Sequence, residues 1–353
     1  MTPRTSSVSI LRTPRHLEVY LGAPLAALES IARNLDVGIG VEVVTLRSKG
    51  KARVIACPTD EAVRNVHRRI LSLLTPVQMD LPDMVTGYVR GRSSVTNAIV
   101  HAGAAHLQKF DLRDFFPHIG VDAVDEGLHA AGFQEEVARL LSRLTTCRGY
   151  LPAGFSTSPA IANLACQSMD AELAALAEQE MLNLTRYADD IAFSGMEPFD
   201  VLDEVRQIAI AHGHALNDEK TRTLKRGQPM YVTGLSVSEQ ERPRLPRPFK
   251  RGLRQELYYV QTRGLAEHAS WRGAKAEAVR YRLGGQLAYA SAVEPGWVEA
   301  LTTAFPTAFQ EVARRRSSQS DAKRGERLAQ LAARVIARND AAAELYEPSA
   351  TIS

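Results

Sequence analysis

The chain is expected to fold as an α+β protein, and three observations predict this. Apolar, β-branched runs occur in pairs, at 41–46 with 52–57 and at 182–187 with 191–193, each pair joined by a short polar turn. Between the pairs lie segments whose apolar residues recur every three or four positions, as at Val63, Val66, Ile70, Leu73 and Leu74. Beyond about residue 255 the pattern is alanine-rich and helical, with no further strand signal.

Taken in order, residues 1–40 read as a short polar tail followed by a helix near 25–35. Arg47-Ser48-Lys49-Gly50 turns the first hairpin, and Thr59 or Asp60 can cap the helix that follows. A Gly/Ser-rich segment at 87–94 leads into a helix expected over 94–106. A strand is expected over 108–119, then helices over 121–131 and 134–146. Ser158-Pro159 has the form of an N-cap and first-turn proline, opening a helix to about residue 181. A helix near 200–213 and short strands near 220–225 and 231–237 precede a proline- and arginine-rich stretch at 241–254, the best candidate for a boundary. Helices are expected near 255–292, 297–315 and 324–346.

Composition narrows the function classes. The 353 residues are 45% hydrophobic and 24% charged, ordinary globular values. Net charge is +3, so any contact with nucleic acid must rest on local clusters of Lys and Arg. The three cysteines, Cys57, Cys147 and Cys166, are far apart and form neither a disulfide framework nor a zinc site. No signal peptide and no apolar run of about 18 residues is seen, so a cytoplasmic location without membrane contact is expected.

Tyr187-Ala188-Asp189-Asp190 puts two adjacent carboxylates on one tight turn. Like charges at contact distance raise each other's pKa, so such a pair calls for cations, although two Asp at a turn also serve simply as turn formers. Asp111, in Phe110-Asp111-Leu112-Arg113-Asp114-Phe115-Phe116, ends an apolar strand and could lie beside the hairpin in one antiparallel sheet. Three carboxylates on adjacent strands can hold two Mg²⁺ about 3.5–4 Å apart, the arrangement that activates a 3′-hydroxyl and stabilises leaving pyrophosphate.

These stretches resemble the motifs of reverse transcriptases. Residues 110–116 look like the first palm motif and Tyr187–Asp190 like the YxDD hairpin. Leu151-Pro152-Ala153-Gly154-Phe155-Ser156-Thr157-Ser158-Pro159 is similar to the intervening LPQGxxxSP motif, and Leu216-Asn217-Asp218-Glu219-Lys220-Thr221 to the lysine-bearing motif. The resemblance covers roughly 45–255. It implies a right-hand polymerase fold: an N-terminal helical extension at 1–40, fingers at 41–108, palm with interleaved fingers helices at 109–240, a helical thumb at 241–315 and a helical tail at 316–353. It implies RNA-directed DNA polymerase activity with two Mg²⁺, Mn²⁺ being an alternative. Asp111, Asp189, Asp190 and the Leu112 carbonyl would be the metal ligands. Lys51 and Arg53 would grip the triphosphate, Phe116 would be the sugar gate, and Phe115, Ala153, Gly154 and Lys220 would complete the nucleotide pocket. Ala153 stands where the family usually has Gln, which puts fidelity and processivity in question.

Asn97-Ala98-Ile99-Val100-His101 resembles the NAxxH signature of retron reverse transcriptases, and Tyr231-Val232-Thr233-Gly234-Leu235 their VTG signature. That resemblance implies a cognate non-coding RNA as template and primer, a branched RNA-linked DNA product, deoxynucleoside triphosphate substrates, an effector protein and a role in phage defence. Asn97, His101, Val232, Thr233 and Gly234, with the basic residues Arg244, Arg247, Lys250 and Arg254, are the expected RNA contacts. A second cluster, Arg314-Arg315-Arg316, has no assigned role. The alternatives are a non-retron bacterial reverse transcriptase, a catalytically silent RNA-binding scaffold and an RNA-templated RNA polymerase.

Overall fold

The computed structural model describes residues 11–48 and 51–313. The Arg314–316 cluster, the 316–353 tail and residues 1–10 lie outside the described residues, as do Lys49 and Gly50 of the first turn. In chain order the elements begin with α1 (Pro14–Leu21), α2 (Leu25–Asp36), β1 (Val41–Ser48), β2 (Lys51–Pro58) and α3 (Glu61–Gln78). Then come α4 (Ser94–Ile99), β3 (His106–Asp111), α5 (Val121–Ala130), α6 (Glu135–Thr145), α7 (Ser158–Ala165), α8 (Gln167–Gln179), β4 (Asn183–Tyr187) and β5 (Asp190–Gly195). The chain continues through α9 (Leu202–Ala211), β6 (Arg222–Lys225), β7 (Tyr231–Val232) and β8 (Leu235–Ser236). It ends in the helices α10 (Arg247–Arg263), α11 (Leu265–Trp271), α12 (Ala276–Val293), α13 (Pro295–Ala304) and α14 (Pro306–Ala313).

Among the described residues these elements form two compact units, 11–93 with 107–223, and 94–106 with 224–313. In the first, β1 and β2 make a two-stranded antiparallel ribbon with Val44 opposite Ile55 and Leu46 opposite Arg53. The helix α3 starts where expected because the Asp60 carboxylate accepts from the Ala62 amide at 2.8 Å, and it buries Val63, Val66, Ile70, Leu73 and Leu74 on one face. A four-stranded sheet of order β4-β5-β3-β6 carries the acidic hairpin. Phe110 and Phe193 meet edge to face in its core, 6.1 Å apart, a contact worth about 0.5–1.5 kcal/mol beyond the area it buries.

Local structure departs from the expected elements at several places. In the second unit the helix expected near 255–292 is three, α10 starting at Arg247 within the stretch read as a boundary, and the one expected near 297–315 is two, parted at Phe305. The short helix α1 lies in the stretch read as a polar tail; it buries just Leu17 and Leu21, too few positions for a clear period. The helix expected over 94–106 ends at Ile99, because Gly103 takes a left-handed φ of 78° and the chain enters β3 at His106. The strand expected to reach residue 119 stops at Asp111; Asp114 has φ 45°, and Phe116–His118 form a 3-10 turn around Pro117. The helix expected over 158–181 is two helices broken at Cys166. Thr157 precedes its first residue, while the Ser158 hydroxyl donates to the Pro152 carbonyl at 2.6 Å.

The second unit places α4 against the short β7–β8 pair and then stacks α10 to α14. Leu253, Leu257, Val260, Val279 and Leu283 form its apolar interior. Glu256 is buried there. Burial alone would raise its carboxyl, but hydrogen bonds from Arg282 at 2.9 Å and His268 at 2.8 Å outweigh that and hold it below the ordinary carboxylate range. No helix among the described residues is long and apolar enough to cross a membrane.

Candidate active site

The acidic hairpin belongs wholly to the first unit. Tyr187 pairs with Asp190, leaving Ala188 and Asp189 as a two-residue loop. Ala188 has φ 59°, the left-handed backbone such loops require of their first central residue, at a cost of about 1–3 kcal/mol for a residue other than glycine. A buried polar network holds it. Arg186 is fully buried; its Nε and Nη2 donate to the two Asp170 oxygens at 2.6 Å each, and its Nη1 to the Asn163 side-chain oxygen and the Ala188 carbonyl at 3.2 Å each. Asn163 in turn donates to the Gly87 carbonyl at 2.8 Å. Gly87 is required here: a Cβ on it would lie 2.6 Å from the Ala188 nitrogen.

Asp111 reaches the same place from β3. The Leu112 amide donates to the Asp189 carbonyl at 2.9 Å, fixing the register between strand and hairpin. Asp111 is 6% exposed, and both its oxygens accept from Lys220 Nζ, at 2.7 and 2.8 Å, with Asn217 Nδ2 at 3.4 Å. Burial, then the charges of Asp111 and Asp190, push the Asp189 carboxyl above its ordinary value. Burial and Asp111 do the same to Asp190, against a pull from Lys109. The Lys220 ammonium is held above its usual value by its hydrogen bonds to Asp111. Negative charge is therefore in excess at the tip of the hairpin. The donor set is all oxygen, the set that suits hard divalent cations. Among the described residues no three His, Cys, Asp or Glu side chains are grouped so that they could hold one metal ion, and Asp111 is committed to Lys220.

Aromatic and backbone walls surround this corner. Phe115 is buried, stacked on His214 at 5.7 Å, while Phe116 is partly exposed and 5.3 Å from it. The Arg53 side chain is exposed on β2, opposite Leu46. The Lys51 backbone begins β2; its side chain lies outside what the structure describes. Ala153 joins its carbonyl to the Ala56 amide at 2.8 Å. Gly154, with φ 120°, lies so close to β2 that a Cβ would meet Ile55 at 2.3 Å.

Sequence reasoning missed Tyr88, Asn163, Asp170, Arg186 and Asn217. Tyr88 lies 6.5 Å from Phe116 and 6.2 Å from Tyr187, ring to ring. Burial, and after it the Asp189 charge, raise its hydroxyl's pKa, whereas Arg53 lowers it. The one available signal was Gly87 before an aromatic residue, and by itself that has no mechanism attached.

In the second unit the two short signatures come together. The Thr233 hydroxyl donates to the Ser94 carbonyl at 2.8 Å, joining the strand pair to α4. Asn97 and His101 are 2% and 0% exposed, and Val232 is 1% exposed. The expectation that these three side chains touch RNA is corrected: they face inward and shape this part of the unit. Gly234 is exposed at the turn, with φ 81°. Arg244 is tied to Glu239 at 2.6 Å, and Lys250 is bound to the buried Glu294. Arg247, Arg251 and Arg254 are exposed and enter no ion pair among the described residues. With Tyr258, Tyr259 and Phe305 they line an open groove of about 530 Å³.

Comparison with known proteins bears on this geometry. Residues 44–243 match the family described as reverse transcriptase (RNA-dependent DNA polymerase). The retron Mx65 reverse transcriptase of Myxococcus xanthus is 32% identical over 323 residues, covering 83% of this chain and 71% of that protein. The retron Mx162 enzyme of the same organism is 30% identical over 293 residues, covering 72% of this chain and 60% of that protein. The retron Ec86 enzyme of Escherichia coli is 29% identical over 227 residues, covering 62% of this chain and 69% of that protein. Among solved structures, apo telomerase from Candida tropicalis superposes with a TM-score of 0.47 at 14% identity, covering 84% of this chain and 62% of that one. This chain belongs to the reverse transcriptase (RNA-dependent DNA polymerase) family, whose α+β polymerase fold it carries, and within it to the retron type known from bacteria.

Proposed function

We propose that this enzyme copies a cognate structured RNA into DNA by nucleotidyl transfer at Asp111, Asp189 and Asp190, with two Mg²⁺ held by these carboxylates and the Leu112 carbonyl. The single observation that supports this best is convergence. Three separate segments bring Asp111, the Asp189–Asp190 pair and Lys220 into one electrostatic unit, tied by the 2.7 Å ion pair and the 2.9 Å bond from Leu112 to Asp189. When bound, the metal pair supplies charge neutralisation and a more acidic primer hydroxyl.

The chain's own groups do the rest. Arg53, with Lys51, binds triphosphate oxygens in its fork-shaped guanidinium. Lys220 stays charged through its Asp111 bonds and neutralises departing pyrophosphate. Phe116 excludes a ribose 2′-hydroxyl by its bulk. Ala153 offers no side-chain hydrogen bond; its carbonyl is spent on Ala56, so it shapes the pocket through backbone alone. Fingers at 41–108, palm at 109–240 and thumb at 241–315 are the proposed divisions. Arg247 and Arg254, beside Tyr258, neutralise RNA phosphates and stack exposed bases.

The test is primer extension on an RNA template by the purified full chain. Asp189→Asn should abolish DNA synthesis while RNA binding stays intact; undiminished synthesis would remove the reading. The retron relatives support a finer proposal: priming from a guanosine 2′-hydroxyl, a branched RNA–DNA product, and phage defence in the cytoplasm with an effector protein. Nucleic acid recovered with the protein from its native locus would carry a 2′–5′ branch under this proposal, and an unbranched product would overturn it.

A further inference from the structure

Tyr88 stands out because its backbone is strained although its ring is not needed to fill the core. It has φ 60°, a left-handed conformation that aromatic residues rarely adopt. Its side chain is 45% exposed, so the ring is not buying core burial. The surrounding structure imposes the conformation. The Thr86 amide donates to the Arg186 carbonyl at 2.9 Å and the Gly87 carbonyl accepts from Asn163 at 2.8 Å, so residue 86 is locked to β4 and residue 87 to α7. Gly87 lies too close to the Ala188 nitrogen to carry a side chain, and the next residue must therefore turn outward.

Turned this way, the ring stands between Phe116 at 6.5 Å and Tyr187 at 6.2 Å, with interplanar angles of 41° and 44°. Phe115 also lies against Phe116, at 5.3 Å, and is itself stacked on His214. Phe116 is thus held in a row of rings. Strain kept at such a place is a mark of function.

We infer that Tyr88 is a specificity-determining positioning residue, which braces the Phe116 ring so that the nucleotide pocket rejects ribose. This rests on the reading of Phe116 as the sugar gate. Acting through Phe116, Tyr88 sets discrimination between deoxyribonucleoside and ribonucleoside triphosphates rather than the rate of transfer itself. Without the brace the gate ring can swing toward the space Tyr88 vacates, and a 2′-hydroxyl then fits.

The experiment measures kcat/KM for a deoxynucleotide and the matching ribonucleotide in primer extension by the full chain. The variants are Tyr88→Phe, Tyr88→Ala, Tyr88→Gly, Phe116→Ala and the Tyr88→Ala/Phe116→Ala double variant. Tyr88→Gly suits the left-handed backbone and guards against a folding defect. Tyr88→Phe should keep the wild-type ratio. Tyr88→Ala and Tyr88→Gly should each lower the ratio about tenfold, chiefly by improving ribonucleotide use, and Tyr88→Ala should add nothing on top of Phe116→Ala. Equal slowing of both substrates in Tyr88→Ala and Tyr88→Gly would overturn the inference and mark Tyr88 as structural. An additive effect in the double variant would overturn action through Phe116. If Phe116→Ala alone leaves ribose excluded, the gate reading falls first, and that result is separate from any Tyr88 outcome.

Discussion

Two ion pairs in the first unit, one beneath the acidic hairpin and one at its tip, are made of like parts and differ in every physical respect. Arg186 and Asp170 are 0% and 1% exposed, joined by two 2.6 Å bonds, and the guanidinium's Nη1 donates to Asn163 and Ala188. Burial works against the Arg186 charge, but Asp170 more than offsets it and holds the guanidinium protonated. The side chains of Lys220 and Asp111 are 49% and 9% exposed, and two further carboxyls beside them have raised pKa values. A closed network fixes a strained turn; an open one leaves negative charge for substrate and cations to meet. The lesson is that this hairpin is rigid from below so that it can be unbalanced on top.

The comparison can be broken most severely at the tip. Asp111→Asn or Asp189→Asn should reduce DNA synthesis by about 10³-fold or more, on the scale of losing a principal electrostatic group, with circular dichroism unchanged. Beneath the hairpin, Arg186→Met should cost about 3–5 kcal/mol of stability by stranding the Asp170 charge, read by chemical denaturation. The Arg186→Met/Asp170→Leu double variant should recover most of that stability. If activity returns with it, the network is dispensable once the fold is restored, and the contrast drawn here is lost. Lys220→Ala should slow transfer about 10²-fold, as expected for a lost proton-donating or charge-neutralising group, yet cost only about 0–1 kcal/mol of stability because the Lys220 end of the pair is half in water.

A subtler test uses pH. The folded-state carboxyls of Asp189 and Asp190 are raised above their unfolded value, so their ionisation on the way to neutral pH costs stability. That cost is absent below about pH 4 and grows as pH rises through the raised folded value. Asp189→Asn should therefore raise the melting temperature of the metal-free protein at pH 7 and lose that advantage at acid pH. No gain at pH 7 would mean that the charges at the tip are already balanced. The smallest effect concerns the second unit. Arg254→Ala should weaken RNA binding modestly and flatten the slope of log affinity against log salt by about 1.

The hairpin and the palm strand were legible because their signals are local: two apolar runs, a two-residue turn and an acid at a strand end. The partners Asp170 and Arg186 were not, since an acid in an alanine-rich helix and a base in a strand each look solvated until the fold buries them together. Tyr88 was illegible for another reason, as its role arises from a backbone angle that no residue spacing encodes. Asn97 and His101 show the converse: their i, i+4 spacing suggests one exposed helix face, but α4 ends at Ile99, His101 lies in the turn beyond it, and both side chains are buried. The break at Cys166 escaped notice because alanine-rich helices carry no periodic warning of a bend.

Gly154 sets a limit on how the β1–β2 ribbon can travel. Its loop is pinned to Ala56 by a backbone bond, with no room for even a methyl group between them, so the root of the ribbon cannot pivot as a hinge. On the proposed reading of Arg53 as a triphosphate ligand, its movement comes from coiling of the ribbon beyond the root, around Leu46 and Arg53, where two strands stand without a third neighbour. The reach of Arg53 is then governed by the torsional softness of a short ladder, a property tunable by cross-strand pairs such as Thr45 with Val54.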